Sequence, residues 1–183
     1  MRLLMGTLLL AVSLGAAAHQ HVWVGGNPSG QASAVQAPVV AVQDGDKWTY
    51  SERPDKMRGA TTTFAYVGSN NQASFKFPYQ GGSRMFLVLR KSARSGSHVA
   101  LTISPGQFAC LLDCSIDVKF DSGKVETVAI SGTADGSMTS VFIDASARFL
   151  GKLKKSRKVI VEAAFYQEGA TQFEFDVAGL VWR

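Results

Sequence analysis

From residue 47 onward, apolar and polar side chains alternate in short runs, and Gly, Ser, Asn and Asp separate those runs at close spacing. A period of two sends successive side chains to opposite faces of a strand, so many short runs between turn residues predict an antiparallel β domain. Ten strands are expected, at 47–51, 61–67, 72–76, 85–90, 99–103, 115–120, 125–130, 140–143, 158–166 and 172–180. The alternation is cleanest near the C-terminus, where Phe173, Phe175 and Val177 share one face and Gln172, Glu174 and Asp176 the other. Val159, Val161, Ala163 and Phe165 make the matching apolar face of a hairpin partner. Gln167-Glu168-Gly169-Ala170 connects the two, with glycine supplying a positive φ. A second hairpin is expected to set Ile116, Val118 and Phe120 opposite Val125 and its neighbours across Asp121-Ser122-Gly123.

The pattern changes once, after 140–143. Phe149, Leu150 and Leu153 fall on one stripe of a helix, and Asp144 is placed to cap its first turn. Lys152, Lys154 and Lys155 are expected in the last turn, where cations complement the helix dipole. Gly151 costs about 1 kcal/mol relative to Ala but does not forbid the helix. The expected fold class is therefore mainly β: an antiparallel sandwich or sheet with one packed helix in the C-terminal half.

Before residue 47 the texture differs. Arg2, an apolar run over 3–14 and the small residues Gly15-Ala16-Ala17-Ala18 have the form of a secretory signal ending in an A-x-A site. The apolar run is shorter than the roughly 20 residues that span a bilayer. The division expected is a signal peptide over 1–18, a flexible arm or linker over 19–46 rich in Gly, Ala, Val, Gln and Ser, and a β-rich domain over 47–183. That reading makes the protein periplasmic or secreted, with no transmembrane segment after cleavage. With 46% hydrophobic and 18% charged residues, the chain is neither disordered nor collagen-like.

Export bears on the cysteines. Cys110 and Cys114 frame three residues between two predicted strands, and in an oxidising compartment such a pair closes a small disulfide loop. A redox pair would instead need C-x-x-C at a helix N-terminus. Cleavage after Ala18 would leave His19-Gln20-His21 at the mature terminus, where an α-amine, amide nitrogens and an imidazole make a square-planar set for copper. The same terminus could share copper with His98. No other cofactor is indicated.

Catalytic constellations are sparse. A hydrolase triad would depend on His98, in Arg94-Ser95-Gly96-Ser97-His98, and no G-x-S-x-G elbow accompanies it. Asp113, Asp117, Asp121 and Glu126 are the carboxylates a glycosidase pair would draw on. Asp121 reads better as a turn former, and Asp117 and Glu126 as outward strand residues. The net charge of +5 is concentrated in Arg148, Lys152, Lys154, Lys155, Arg157 and Lys158. This cluster suits an anionic surface or an acidic envelope protein, or else serves the helix dipole and solubility. It has no interleaved aromatics for base stacking, so nucleic acid is not an expected partner. Tyr79, Gln80 and Arg84 form a second candidate contact loop.

Landmarks from Trp48 to Trp182 carry a family resemblance. They include Trp48-Thr49-Tyr50, Lys56-Met57, Phe77-Pro78-Tyr79-Gln80-Gly81, Leu87-Val88-Leu89-Arg90, Gly106-Gln107-Phe108, Val118-Lys119-Phe120-Asp121-Ser122-Gly123, Phe165-Tyr166-Gln167-Glu168-Gly169 and Phe173-Glu174-Phe175-Asp176-Val177-Ala178-Gly179-Leu180. Their order resembles a family of small exported bacterial β-domain proteins. More distantly, it is similar to the periplasmic TagO/VasI proteins associated with type VI secretion, although no cysteine follows Leu89-Arg90 here. The resemblance implies a β domain that acts by binding or assembly, and it names no active site.

Overall fold

The computed structural model describes residues 48–110 and 114–183. The alternating runs there become nine strands: β1 (Thr49–Asp55), β2 (Ala60–Gly68), β3 (Arg84–Ser92), β4 (Gly96–Ser104), β5 (Cys114–Phe120), β6 (Val125–Gly132), β7 (Ser140–Ile143), β8 (Lys158–Phe165) and β9 (Gly169–Asp176). One helix, α1 (Ser146–Leu153), lies between β7 and β8. The strands form a single antiparallel sheet in the order β1-β2-β3-β4-β7-β6-β5-β8-β9. Its inner face supplies one hydrophobic core, with Ala65, Leu87, Leu101, Val118, Val161 and Phe173 among the side chains sealed from solvent.

The two ends of the sheet approach each other. Asn71, in the β2–β3 connection, donates through Nδ2 to the Gln172 carbonyl at 2.9 Å and accepts from the Glu174 amide at 2.8 Å. Asn70 N–H donates to the Glu174 carbonyl, and Trp48 Nε1 donates to the Val177 carbonyl at 3.0 Å. An asparagine side chain thus satisfies part of the exposed edge of β9, which would otherwise carry unpaired backbone groups. This use of the connection also explains why 72–76 is not a strand. Only Ala73 bridges to Ser83, after which Lys76 N–H binds Glu168 Oε1 and its carbonyl accepts from Tyr79 N–H in a turn.

Both hairpins form. Val159 pairs with Phe175 and Val161 with Phe173, and Gly169 takes φ +75° as its turn requires. In the β5–β6 turn the positive φ falls on Asp121 (+47°) and not on the glycine. Gly123 is needed there for a different reason, because a Cβ would meet the Phe120 carbonyl oxygen at 2.9 Å.

The helix is present with its expected stripe, since Phe149 and Leu153 are buried and Leu150 packs against the core. Its cap is different. Ala145 occupies the N-cap position without a side-chain bond, and the Asp144 carboxylate accepts from Ser131 Oγ at 2.6 Å. Buried Ser146 anchors the junction, donating to the Ile143 carbonyl at 2.6 Å and accepting from Val99 N–H at 3.0 Å. Lys152 is the basic residue of the last turn, while Lys154 is the C-cap and Lys155 lies beyond it. No helix among the described residues is long and apolar enough to cross a membrane.

Candidate functional site

A strand that runs past the core continues its alternation, so its next inward side chain projects from the same concave face. At two places that position is charged. On β6 the inward series is Ile130, Val128 and then Glu126, which pairs in register with inward Val118. Glu126 is therefore not an outward residue as its sequence setting suggested. Val125 is the one that points out, 62% exposed and paired with Lys119.

What makes an inward carboxylate acceptable is α1. Lys152 Nζ donates to both oxygens of Glu126, and Arg148 Nη2 lies 3.9 Å from Oε2. The Lys152 hydrogen bond, then the charges of Lys152 and Arg148, hold the Glu126 carboxyl below its ordinary value of 4.5 against the opposing effect of desolvation. Phe149 packs edge-on against Phe120 with centroids 5.2 Å apart. A depression of about 240 Å³ remains between α1 and the β5–β6 hairpin, walled by Phe120, Val128 and Phe149 below the ion cluster.

The six-cation cluster is thereby divided. Arg148 and Lys152 are committed to Glu126, whereas Lys154, Lys155, Arg157 and Lys158 are exposed and make no salt bridge among the described residues. Asp121 fixes the backbone that carries two of them, because its Oδ1 accepts from Arg157 N–H and Lys158 N–H, each at 2.9 Å. The Lys158 and then Arg157 amides hold the Asp121 carboxyl below its ordinary 3.8. Its expected role as a turn former stands, with this clamp added.

A second inward charged row lies at the other side of the sheet. Glu52 of β1 pairs with Thr63 of β2, which pairs with Lys91 of β3. The adjoining row is Tyr50, Ala65 and Leu89, the last two fully buried. Here no helix among the described residues covers the face. The segment Val181-Trp182-Arg183 crosses it, with Val181 N–H donating to the Tyr50 hydroxyl at 2.8 Å and Lys91 Nζ donating to the Arg183 carbonyl at 3.1 Å. The result is a groove of about 520 Å³ lined by Tyr50, Glu52, Thr61, Thr63, Lys91 and the crossing segment. No family model, curated protein or solved structure matches the chain. Several of the sequence landmarks hold the fold: Trp48 ties the sheet ends, Leu87 and Leu89 are core, and Phe165 contacts Phe75, Phe108 and Phe173.

The other candidate residues are dispersed. Cys110 and Cys114 form a disulfide, with Cα atoms 5.5 Å apart. Half-buried His98 holds the Ser95 carbonyl through Nε2 at 2.6 Å, which makes Nε2 the protonated nitrogen, and its ring meets Phe142 edge-on. Asp117 faces outward and accepts from Thr127 Oγ1. Tyr79 is half-buried against the core, Gln80 is exposed, and Arg84 is half-buried at the start of β3 opposite Ser104. The side chain this loop presents most fully is Phe77, 80% exposed. Asp113, His19 and His21 lie outside the described residues. Among the described residues, no three His, Cys, Asp or Glu side chains converge as a metal site.

The groove row escaped the sequence reading because the first strand was expected to stop at residue 51, one short of Glu52. The signal was present in phase: Thr61 and Thr63 continue the inward series of Ala65 and Val67.

Proposed function

We propose that this chain is an exported, non-enzymatic binding or envelope-accessory protein, periplasmic or secreted, that presents the end of α1 to an anionic partner. The observation that carries the reading is the division of the cation cluster. After Glu126 has engaged Arg148 and Lys152, four exposed cations remain, two of them, Arg157 and Lys158, on backbone that Asp121 holds in place. A rigid display of like charge favours association with an anionic surface, since little ordering accompanies binding. Export is supported by the signal-like pattern over 1–18 and by the Cys110–Cys114 disulfide, a bond that persists in oxidising compartments. The type VI secretion resemblance is in keeping with an envelope partner.

Co-sedimentation with phosphatidylglycerol vesicles, alongside retention on immobilised polyglutamate, tests this reading. Binding is expected at low salt, with steep weakening as salt rises and loss when Lys154, Lys155, Arg157 and Lys158 are all changed to Gln. No binding at low salt, or a quadruple variant that binds like the parent, would overturn it.

A further inference from the structure

The row Glu52, Thr63 and Lys91 places a carboxylate and an ammonium in one groove without letting them meet. They stand two strands apart with a threonine between them, so their Cα atoms are separated by roughly 10 Å at the usual strand spacing. Glu52 makes no salt bridge among the described residues, and the contact of Lys91 is with the Arg183 carbonyl. That carbonyl shows that an acceptor oxygen reaches Lys91 Nζ inside the groove, and an ammonium has donors to spare for a second. The Tyr50 ring forms one wall, steadied by the Val181 amide on its hydroxyl. Thr61 and Thr63 supply hydroxyls along the floor.

We infer that this groove binds a short peptide with free termini, its α-ammonium on Glu52 and its carboxylate on Lys91. An extended chain advances about 3.3–3.6 Å per residue, so a tripeptide is commensurate with the roughly 10 Å between the Cα atoms that carry the two charged side chains. Its middle amide groups lie over Thr63, whose hydroxyl both donates and accepts. The volume of about 520 Å³ accommodates a ligand of this size. Opposite charges at the ends of one row favour a dipolar ligand, since a neutral saccharide would satisfy the hydroxyls and bring no counter-charge to Glu52 or Lys91. The site shares no lining residue with the depression at α1.

The test uses the full chain, labelled with nitrogen-15 and titrated with triglycine, with N-acetyl-triglycine amide and with maltotriose. Triglycine is expected to shift the amide signals of Glu52, Thr63 and Lys91, while the blocked peptide and the saccharide leave them in place. Glu52→Gln and Lys91→Met should each weaken triglycine binding about tenfold or more, because each removes a charge-assisted bond. Both side chains are exposed, so the variants keep the parent's spectral dispersion. The exchanged pair Glu52→Lys with Lys91→Glu should recover binding, with the peptide reversed. The inference is overturned by triglycine leaving the row unmoved, by the blocked peptide binding as well as the free one, by maltotriose shifting the row where triglycine does not, or by single variants that bind like the parent.

Discussion

Two glutamates stand just past the core on the same concave face, and the molecule handles them differently. Glu126 meets Lys152 and Arg148 from α1, and Phe149 of the same helix lies against Phe120 beneath them. Glu52 meets no such helix among the described residues: the segment Val181-Trp182-Arg183 crosses its groove, and Thr63 stands between it and Lys91 in the row. The contrast shows how insertion of one short helix between β7 and β8 turns an inward charge into an internal contact. Where no helix is inserted, the same position remains available to a molecule from outside.

The sharpest way to break the comparison is to remove the apolar plug. Phe149→Ala should destabilise the domain by about 3 kcal/mol, the usual cost of truncating a buried aromatic, measured by urea unfolding. Tyr50→Ala, its counterpart in the groove wall, starts from a ring already 43% exposed and should cost no more than about 1 kcal/mol. Equal losses would mean that the groove wall is as structural as the helix. An effect between these two is expected at the helix junction. Ser146→Ala leaves the buried Val99 N–H without its acceptor, which should cost about 2 kcal/mol and raise hydrogen exchange at Val99.

These effects also mark how far the sequence could be read. The β8–β9 hairpin was legible because Val159, Val161, Phe173 and Phe175 hold one period over long runs. The disulfide and the Phe149–Leu153 stripe were legible because each is local. Glu126 was not, because Val125-Glu126-Thr127-Val128-Ala129-Ile130 fits either phase of alternation, and a lysine 26 residues away decides between them. Asn71 closes the edge of β9 across 101 residues of chain, a pairing with no local trace. The six cations fall within eleven residues of sequence but divide in space, because Arg148 and Lys152 share a helix face four residues apart while Lys154 and Lys155 lie past its end. In β1, Ser51-Glu52-Arg53-Pro54-Asp55 resembles a turn by composition. An edge strand admits proline and charge where a central strand would not, which is why Glu52 belongs to a strand and to the groove.

The smallest expected effects separate the two glutamates directly. Lys152 and Arg148 favour the charged form of Glu126, so its folded-state carboxyl titrates below the ordinary 4.5. A carboxyl depressed on folding stabilises the native state fully above its unfolded value, and that contribution fades as pH falls through the folded one. The stability difference between the parent and Glu126→Gln should therefore be full at pH 7, begin to shrink below pH 4.5 and vanish in stronger acid, with the parent the more stable wherever a gap exists. Urea unfolding of the pair at pH 7 and at successively lower pH measures this gap, and a gap that widened toward acid would contradict the ion cluster. Glu52→Gln at pH 7 removes no ion pair, so it should change stability by less than about 0.5 kcal/mol. A larger loss there would show that the open face is already engaged within the chain, and the distinction between the two ends would fail.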